Sequence, residues 1–211
     1  MKKVLLTTTV IIGLSGLATS SVNAEGLYAG IQGGYSWMNI DNINDVGSGK
    51  IKDDNGETAE VNVGYLFHIN DRFSLGPEIG IGTNFYSPKA QENSFLDTET
   101  AKLNTNYYIP VMFKVQFNMN NDLYLFGKAG VAYVSQTVKY SSDLGYSYKD
   151  TNNQWEAAFG AGVGYNIAQN VTLELSYNYI DGKDKNNDSD YDIFDETYRF
   201  QNVSLGVNYT F

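Results

Sequence analysis

Eight times along this chain, apolar residues alternate with small or polar ones over nine residues or more, and then the pattern breaks. A period of two marks a strand, because successive side chains point to opposite faces; none of the eight runs fits the 3.6-residue period of a helix. The first run sets Leu27, Ala29, Ile31, Tyr35 and Trp37 against Tyr28, Gly30, Gln32, Gly34 and Ser36. The second sets Ala59, Val61, Val63, Tyr65 and Phe67 against Glu60, Asn62, Gly64 and Leu66, and the third sets Phe73 to Phe85 against Ser74 to Asn84. In the fourth, Leu103, Tyr107, Ile109, Val111, Phe113, Val115 and Phe117 share a face opposite Asn104, Asn106, Tyr108, Pro110, Met112, Lys114 and Gln116. Four more follow the same rule: Leu123–Tyr133, Trp155–Ile167, Val171–Tyr179 and Asn202–Phe211.

The breaks between runs alternate in length. Those at 68–72, 118–122 and 168–170 are short and suit hairpins between antiparallel neighbours. Those at 41–56, 87–101, 136–154 and 181–197 are long, and the alternation puts all four at one end of the sheet. Long structureless segments in a compact domain point to a function of their own. Ahead of the first run, Lys2 and Lys3, the mostly apolar Val4–Ala18 and the small residues of Val22-Asn23-Ala24 have the pattern of a cleaved secretory signal. Residues 1–24 are therefore expected to be a leader and residues 25–211 a single β-domain. Nothing later in the chain offers an apolar run long enough for a membrane helix, so any membrane span must be a strand.

Two eight-stranded barrels satisfy this pattern: a soluble one with the apolar face inside, and a membrane one with it outside. Side-chain volume decides between them. The apolar face is the bulkier and carries aromatics toward both ends: Trp37, Phe85, Tyr107, Tyr133, Trp155 and Tyr179 at one, Phe67, Phe73, Phe117, Tyr165, Tyr209 and Phe211 at the other. Such bands suit the two membrane interfaces. The opposite face is crowded with glycine, including Gly30, Gly64, Gly82, Gly130, Gly162, Gly164 and Gly206. Glycines and isolated charges cannot build an apolar core, but they fit the narrow lumen of an eight-stranded barrel. The fold predicted is an all-β, eight-stranded antiparallel up-and-down transmembrane barrel, with four long extracellular loops and short periplasmic turns.

On these residues the chain resembles the small Gram-negative outer-membrane barrels of the OmpA-like transmembrane type, relatives of OmpX, Ail and the Opa proteins. The last strand, with Val203, Leu205, Val207, Tyr209 and Phe211, looks like the C-terminal motif read by the barrel assembly machinery; Val207, Tyr209 and Phe211 are the residues that carry it. The segment Tyr108–Val111 and the glycine-alternating 157–165 are similar to the family as well. The chain ends at the barrel, so the peptidoglycan-binding domain of full-length OmpA is not expected. The resemblance implies an outer-membrane location, contact with outer-membrane lipids and lipopolysaccharide, and a lumen closed by charged pairs.

Parity places Glu60, Glu78, Lys114, Lys128 and Glu174 on the inward face at similar depths, with Glu156 nearer the long-loop end. In so narrow an interior these are expected to form a hydrogen-bonded ion-pair network rather than line a water column. Three acids against two lysines leave one carboxyl to be hydrogen-bonded or protonated. No catalytic, cofactor or metal site is expected. The only histidine, His68, lies in a short turn, far from any nucleophile it would need to serve. Zero cysteines remove thiol chemistry, thiolate metal sites and disulfides. Asp188, Asp190 and Asp192 have calcium-loop spacing, but Ile193 and Arg199 stand where that loop needs Gly and Glu.

The chain carries 24 acidic against 14 basic residues, a net charge of -10, which leaves no basic surface for nucleic acid. The four long breaks hold 16 of the acids and 7 of the basic residues, so the acidity belongs to the outer surface. No single loop contains a basic or aromatic cluster that names a partner, and the acidic loops are expected to repel lipopolysaccharide phosphates unless divalent cations bridge them. The function expected is that of a surface protein supporting envelope integrity and touching host surfaces or serum proteins through its loops, with a narrow small-solute channel as the alternative.

Overall fold

The computed structural model describes residues 26–38, 54–93, 98–120, 122–142, 147–182 and 199–211. Ten strands follow one another among them: β1 (Leu27–Met38), β2 (Asn55–Tyr65), β3 (Phe67–His68), β4 (Phe73–Asn84), β5 (Lys89–Asn93), β6 (Thr98–Asn118), β7 (Leu123–Ser142), β8 (Ser147–Ala168), β9 (Val171–Ile180) and β10 (Phe200–Thr210). All pair antiparallel. β1 joins β10, and β4 pairs with both β2 and β6, so the sheet closes on itself as an eight-stranded barrel. The short β3 is the end of the β2 stave, and the five residues of β5 continue the β4 stave against β6.

Two of the three short turns owe their shape to asparagine. In 69–72 the Asn70 Oδ1 accepts from the backbone N–H of Arg72 and Phe73 at 2.9 and 3.0 Å. In the next turn Asn120 Oδ1 accepts from Asp122 and Leu123 at 3.0 and 2.7 Å. An Asx side chain that takes two orphan donors fixes a tight reversal without glycine.

The apolar face points outward. Leu205 is 59% exposed, Ile81 50% and Phe113 47%, whereas their strand neighbours Ser204 and Lys114 are buried inside the wall. Burying so large an apolar girth requires hydrocarbon around it, not water. At the long-loop end Tyr107, Tyr133 and Trp155 run side by side on this face, with ring centroids 6.3 and 5.3 Å apart. At the short-turn end Phe73 and Phe117 stack at 5.0 Å, and Tyr209 meets Phe211 at 5.2 Å. These are the two aromatic bands that bracket a membrane span.

Two expectations need correction. The fourth run does not keep one parity: the β6–β7 register slips between Thr105 and Tyr107, so Leu103 turns inward and is buried instead of sharing the face of Tyr107. The extra residue is Asn106, whose Nδ2 donates to Ser135 Oγ at 3.1 Å and Thr137 Oγ1 at 2.9 Å. A β-bulge of this kind reverses which face every residue beyond it occupies. Secondly, the breaks at 87–101 and 136–154 are largely strand. β7 and β8 stay paired from Leu123 with Tyr165 up to Ser141 with Ser147, and β6 accompanies β7 to Glu99 with Ser142. A membrane crossing needs about 9–11 residues per strand, so the 20 residues of β7 carry it about 30 Å further along its own axis. By contrast β9 ends at Ile180, paired with Ala158 and Phe200. The barrel therefore has a raised side built from β5 to β8. The acidic stretch 183–197 lies outside the described residues.

Candidate functional site

Strand pairing assembles the lumen in layers. Lys114 on β6 and Lys128 on β7 are directly opposite each other, a repulsive cross-strand pair if left alone. Each is answered from across the barrel. Lys128 Nζ meets Glu78 Oε1 on β4 at 2.7 Å, and Lys114 Nζ meets Glu174 Oε1 on β9. Tyrosines complete the carboxylates: Tyr28 donates to Glu78 Oε2 at 2.6 Å and Tyr124 donates to Glu174 Oε1 at 2.6 Å. Phe126 lies between the two cations, with its centroid 4.5 Å from Lys114 Nζ and 5.3 Å from Lys128 Nζ. The four charged side chains are each under 8% exposed, so this is a dry, mutually neutralising layer.

Glu60 stands apart from this quartet. It accepts from Gln32 Nε2 at 2.7 Å, and the Tyr108 hydroxyl nearby lies 3.3 Å from Thr58 Oγ1. Four of the five charged residues selected from the sequence thus form two salt bridges, and the fifth accepts from the neutral Gln32 amide. Tyr28, Tyr124, Phe126 and Tyr108 were not among the residues expected to build this layer. A signal for them was present: each faces a glycine on the neighbouring strand, as Tyr28 faces Gly64, Tyr108 faces Gly82, Phe126 faces Gly162 and Tyr124 faces Gly164. A Cβ on Gly164 would sit 2.1 Å from Tyr124 Cζ, and one on Gly82 would sit 2.3 Å from Tyr108 Cζ. The glycines are where the rings lie.

Toward the long-loop end the lumen changes character. Met38, Tyr86, Leu103, Met112, Val134, Ile180 and Phe200 pack into one buried apolar cluster, with Phe200 5.2 Å from the Tyr108 ring. Below the ionic layer, toward the short turns, a polar vestibule is lined by Lys114, Gln116, Asn166, Thr172, Glu174 and Asn208. His68 sits at that lower rim. In the last strand Val207 pairs with Ile31 and Leu173, Tyr209 pairs with Ala29 and Val171, and the Phe211 N–H donates to the Leu27 carbonyl at 2.9 Å. Among the described residues no three His, Asp or Glu side chains converge as a metal would require.

The raised side holds a feature that no loop shows alone. Lys89 pairs with Lys102, Lys102 with Lys139, and Lys139 with Lys149, so four lysines lie in one row across β5, β6, β7 and β8. No single long segment holds a basic cluster, as expected, but pairing gathers one across four strands. Neighbours in the row are 10 to 37 positions apart in sequence, and only the register brings them together.

A closed sheet with an apolar exterior, two aromatic bands and a filled polar lumen defines a membrane-spanning β-barrel. Residues 6–211 match the family model described as the outer membrane protein beta-barrel domain, and the chain belongs to that family. Its location is the bacterial outer membrane. Among solved structures it is similar to neisserial surface protein A, at 17% identity over 88% of this chain and 97% of that one, with a TM-score of 0.52. It is also similar to Ail, the attachment invasion locus protein of Yersinia pestis, at 20% identity over 89% and 99%, with a TM-score of 0.45. OprG of Pseudomonas aeruginosa matches at 13% identity over 89% and 97%, with a TM-score of 0.47. No curated protein matches the sequence.

Proposed function

We propose that this is a non-enzymatic surface protein of the outer membrane, which supports the envelope as a sealed barrel and makes its outside contacts through the raised sheet. The observation that carries this reading is the continuation of β6, β7 and β8 beyond the rim at which β9 and β10 stop. A rigid sheet held above the membrane presents residues to an approaching surface without the ordering cost that a long flexible loop would bear. The sealed lumen favours this reading over the channel. An ionic layer and an apolar layer lie in series along the axis, and an ion would have to displace both. His68, at the short-turn rim, supports no hydrolytic role on the outer side. Residues 1–24 serve as the export leader, and the Val207, Tyr209, Phe211 edge as the assembly signal.

The test is a shortened hairpin. Replacing residues 137–151 with a two-residue Asn-Gly turn should leave the barrel folded, seen as the usual gel shift between unboiled and boiled samples. Cells bearing it should lose attachment to host matrix or serum proteins. Attachment that persists at the full level in this variant and in deletions of the other long segments would overturn the proposal.

A further inference from the structure

We infer that the lysine row, Lys89, Lys102, Lys139 and Lys149, is a docking surface for the phosphate groups of the glycolipids that surround the barrel in the outer leaflet. Directly opposed residues of an antiparallel ladder share a face, so all four ammonium stems leave the same side of the sheet. With strands about 4.8 Å apart, the row spans about 14 Å. Lys102, Lys139 and Lys149, directly opposed in this way, repel one another across the sheet unless an anion lies against them.

The surroundings of the row add to its charge complementarity. On the same face the flanking positions are Ser87, Asn104, Thr137 and Thr151 on the membrane side and Thr100, Ser141 and Ser147 beyond. Thr137 is buried and bonded to Asn106 and Thr151, and Ser87 donates to Asn104; the remaining hydroxyl and amide groups can donate to a phosphate oxygen. Among the described residues Lys102, Lys139 and Lys149 make no salt bridge. The chain as a whole is strongly acidic, so the gathering of four of its 14 basic residues in one line is a local inversion of charge.

The direction of the face selects the occupant. The bulge at Asn106 puts Lys102 on the outward side, and Lys139 and Lys149 share the parity of Tyr133 and Trp155. The row is thus continuous with the lipid-facing wall and lies six residues beyond the aromatic band on β7 and β8. At about 3.3 Å per residue and a strand tilt near 40°, that is about 15 Å above the band, in the layer of phosphorylated sugars rather than of acyl chains. A soluble polymer arriving from above meets the top of the sheet first. The glycolipid beside the barrel meets the row.

The experiment titrates purified, detergent-solubilised protein with lipopolysaccharide, with phosphatase-treated lipopolysaccharide and with dextran sulfate, at several salt concentrations. Each lysine removed should weaken lipopolysaccharide binding about fivefold. The triple variant Lys102→Gln, Lys139→Gln, Lys149→Gln should therefore lose binding on the order of a hundredfold, with an unchanged gel shift showing a folded barrel. The corresponding triple arginine variant should bind like the parent, and phosphatase treatment of the glycolipid should mimic the glutamine variant. Equal binding by parent and glutamine variant would overturn the assignment, as would indifference to the phosphates. Binding of dextran sulfate with none to lipopolysaccharide would give the row to a soluble polymer and overturn it as well.

Discussion

Replacing Lys128 with methionine isolates the ionic layer of the lumen. The two side chains of the Lys128–Glu78 pair are each 3% exposed and their charged atoms are 2.7 Å apart. At an effective dielectric of about 20, that separation is worth about 6 kcal/mol of attraction, part of which repays the removal of both charges from water. Methionine fills the volume of the stem but leaves Glu78 with the Tyr28 hydroxyl as its remaining close donor. It also leaves the layer with two carboxylates and one lysine. The expected loss is about 3–5 kcal/mol, the usual cost of orphaning one member of a buried pair. Urea unfolding in phosphatidylcholine vesicles, followed by the fluorescence of Trp37 and Trp155, measures it. Adding Glu78→Gln to Lys128→Met should recover most of the loss, giving a coupling of about 2 kcal/mol or more, because glutamine still accepts from Tyr28 without a charge to bury. A loss below about 0.5 kcal/mol, or no coupling, would mean that water fills this layer, and the reasoning would fail.

Three further outcomes follow from the same geometry. Gly164→Ala brings a methyl group to about the position of the Tyr124 ring, and should cost about 1–3 kcal/mol in the same unfolding assay by moving that ring off Glu174; an unchanged midpoint would refute the glycine–ring pairing. Asn70→Ala and Asn120→Ala each remove two accepted backbone hydrogen bonds from a turn, and each should lower stability by about 1 kcal/mol; an unchanged midpoint in either would refute the Asx account of that turn. Deleting Asn106 removes the bulge and turns Lys102 toward the inner side; single-cysteine labelling at position 102, straightforward in a chain without cysteine, should then switch from fast to slow.

Much of this molecule is written in its alternation. Parity alone separates Leu205 from Ser204 and Phe113 from Lys114, and it places Glu78, Lys128, Lys114 and Glu174 inside, because membrane and lumen are solvents of opposite preference. Parity fails where the backbone adds a residue. Asn106 has no apolar or glycine signature of a bulge, and its effect is visible only through the side chains of Ser135 and Thr137 on the next strand. The raised sheet was illegible for a different reason. Over 136–142 and 147–154 one face is polar and the other mixes Val138 and Tyr148 with Gln136, Asp150, Asn152 and Gln154, so no solvent boundary stamps a clean period on them. The lysine row depends on the registers of three successive hairpins, and each hairpin contributes a shift that one sequence does not state. Likewise the lumen rings were sorted to the correct face, yet their partners came from neighbouring strands.

The central claim is that this outer-membrane barrel is sealed along its axis, so that its work is done on the outside. Planar-bilayer recording of the purified, refolded protein tests it most directly. The ionic layer and the apolar cluster above it predict a flat current trace across the voltage range that the bilayer tolerates. Reproducible single-channel steps from the unaltered chain would contradict it.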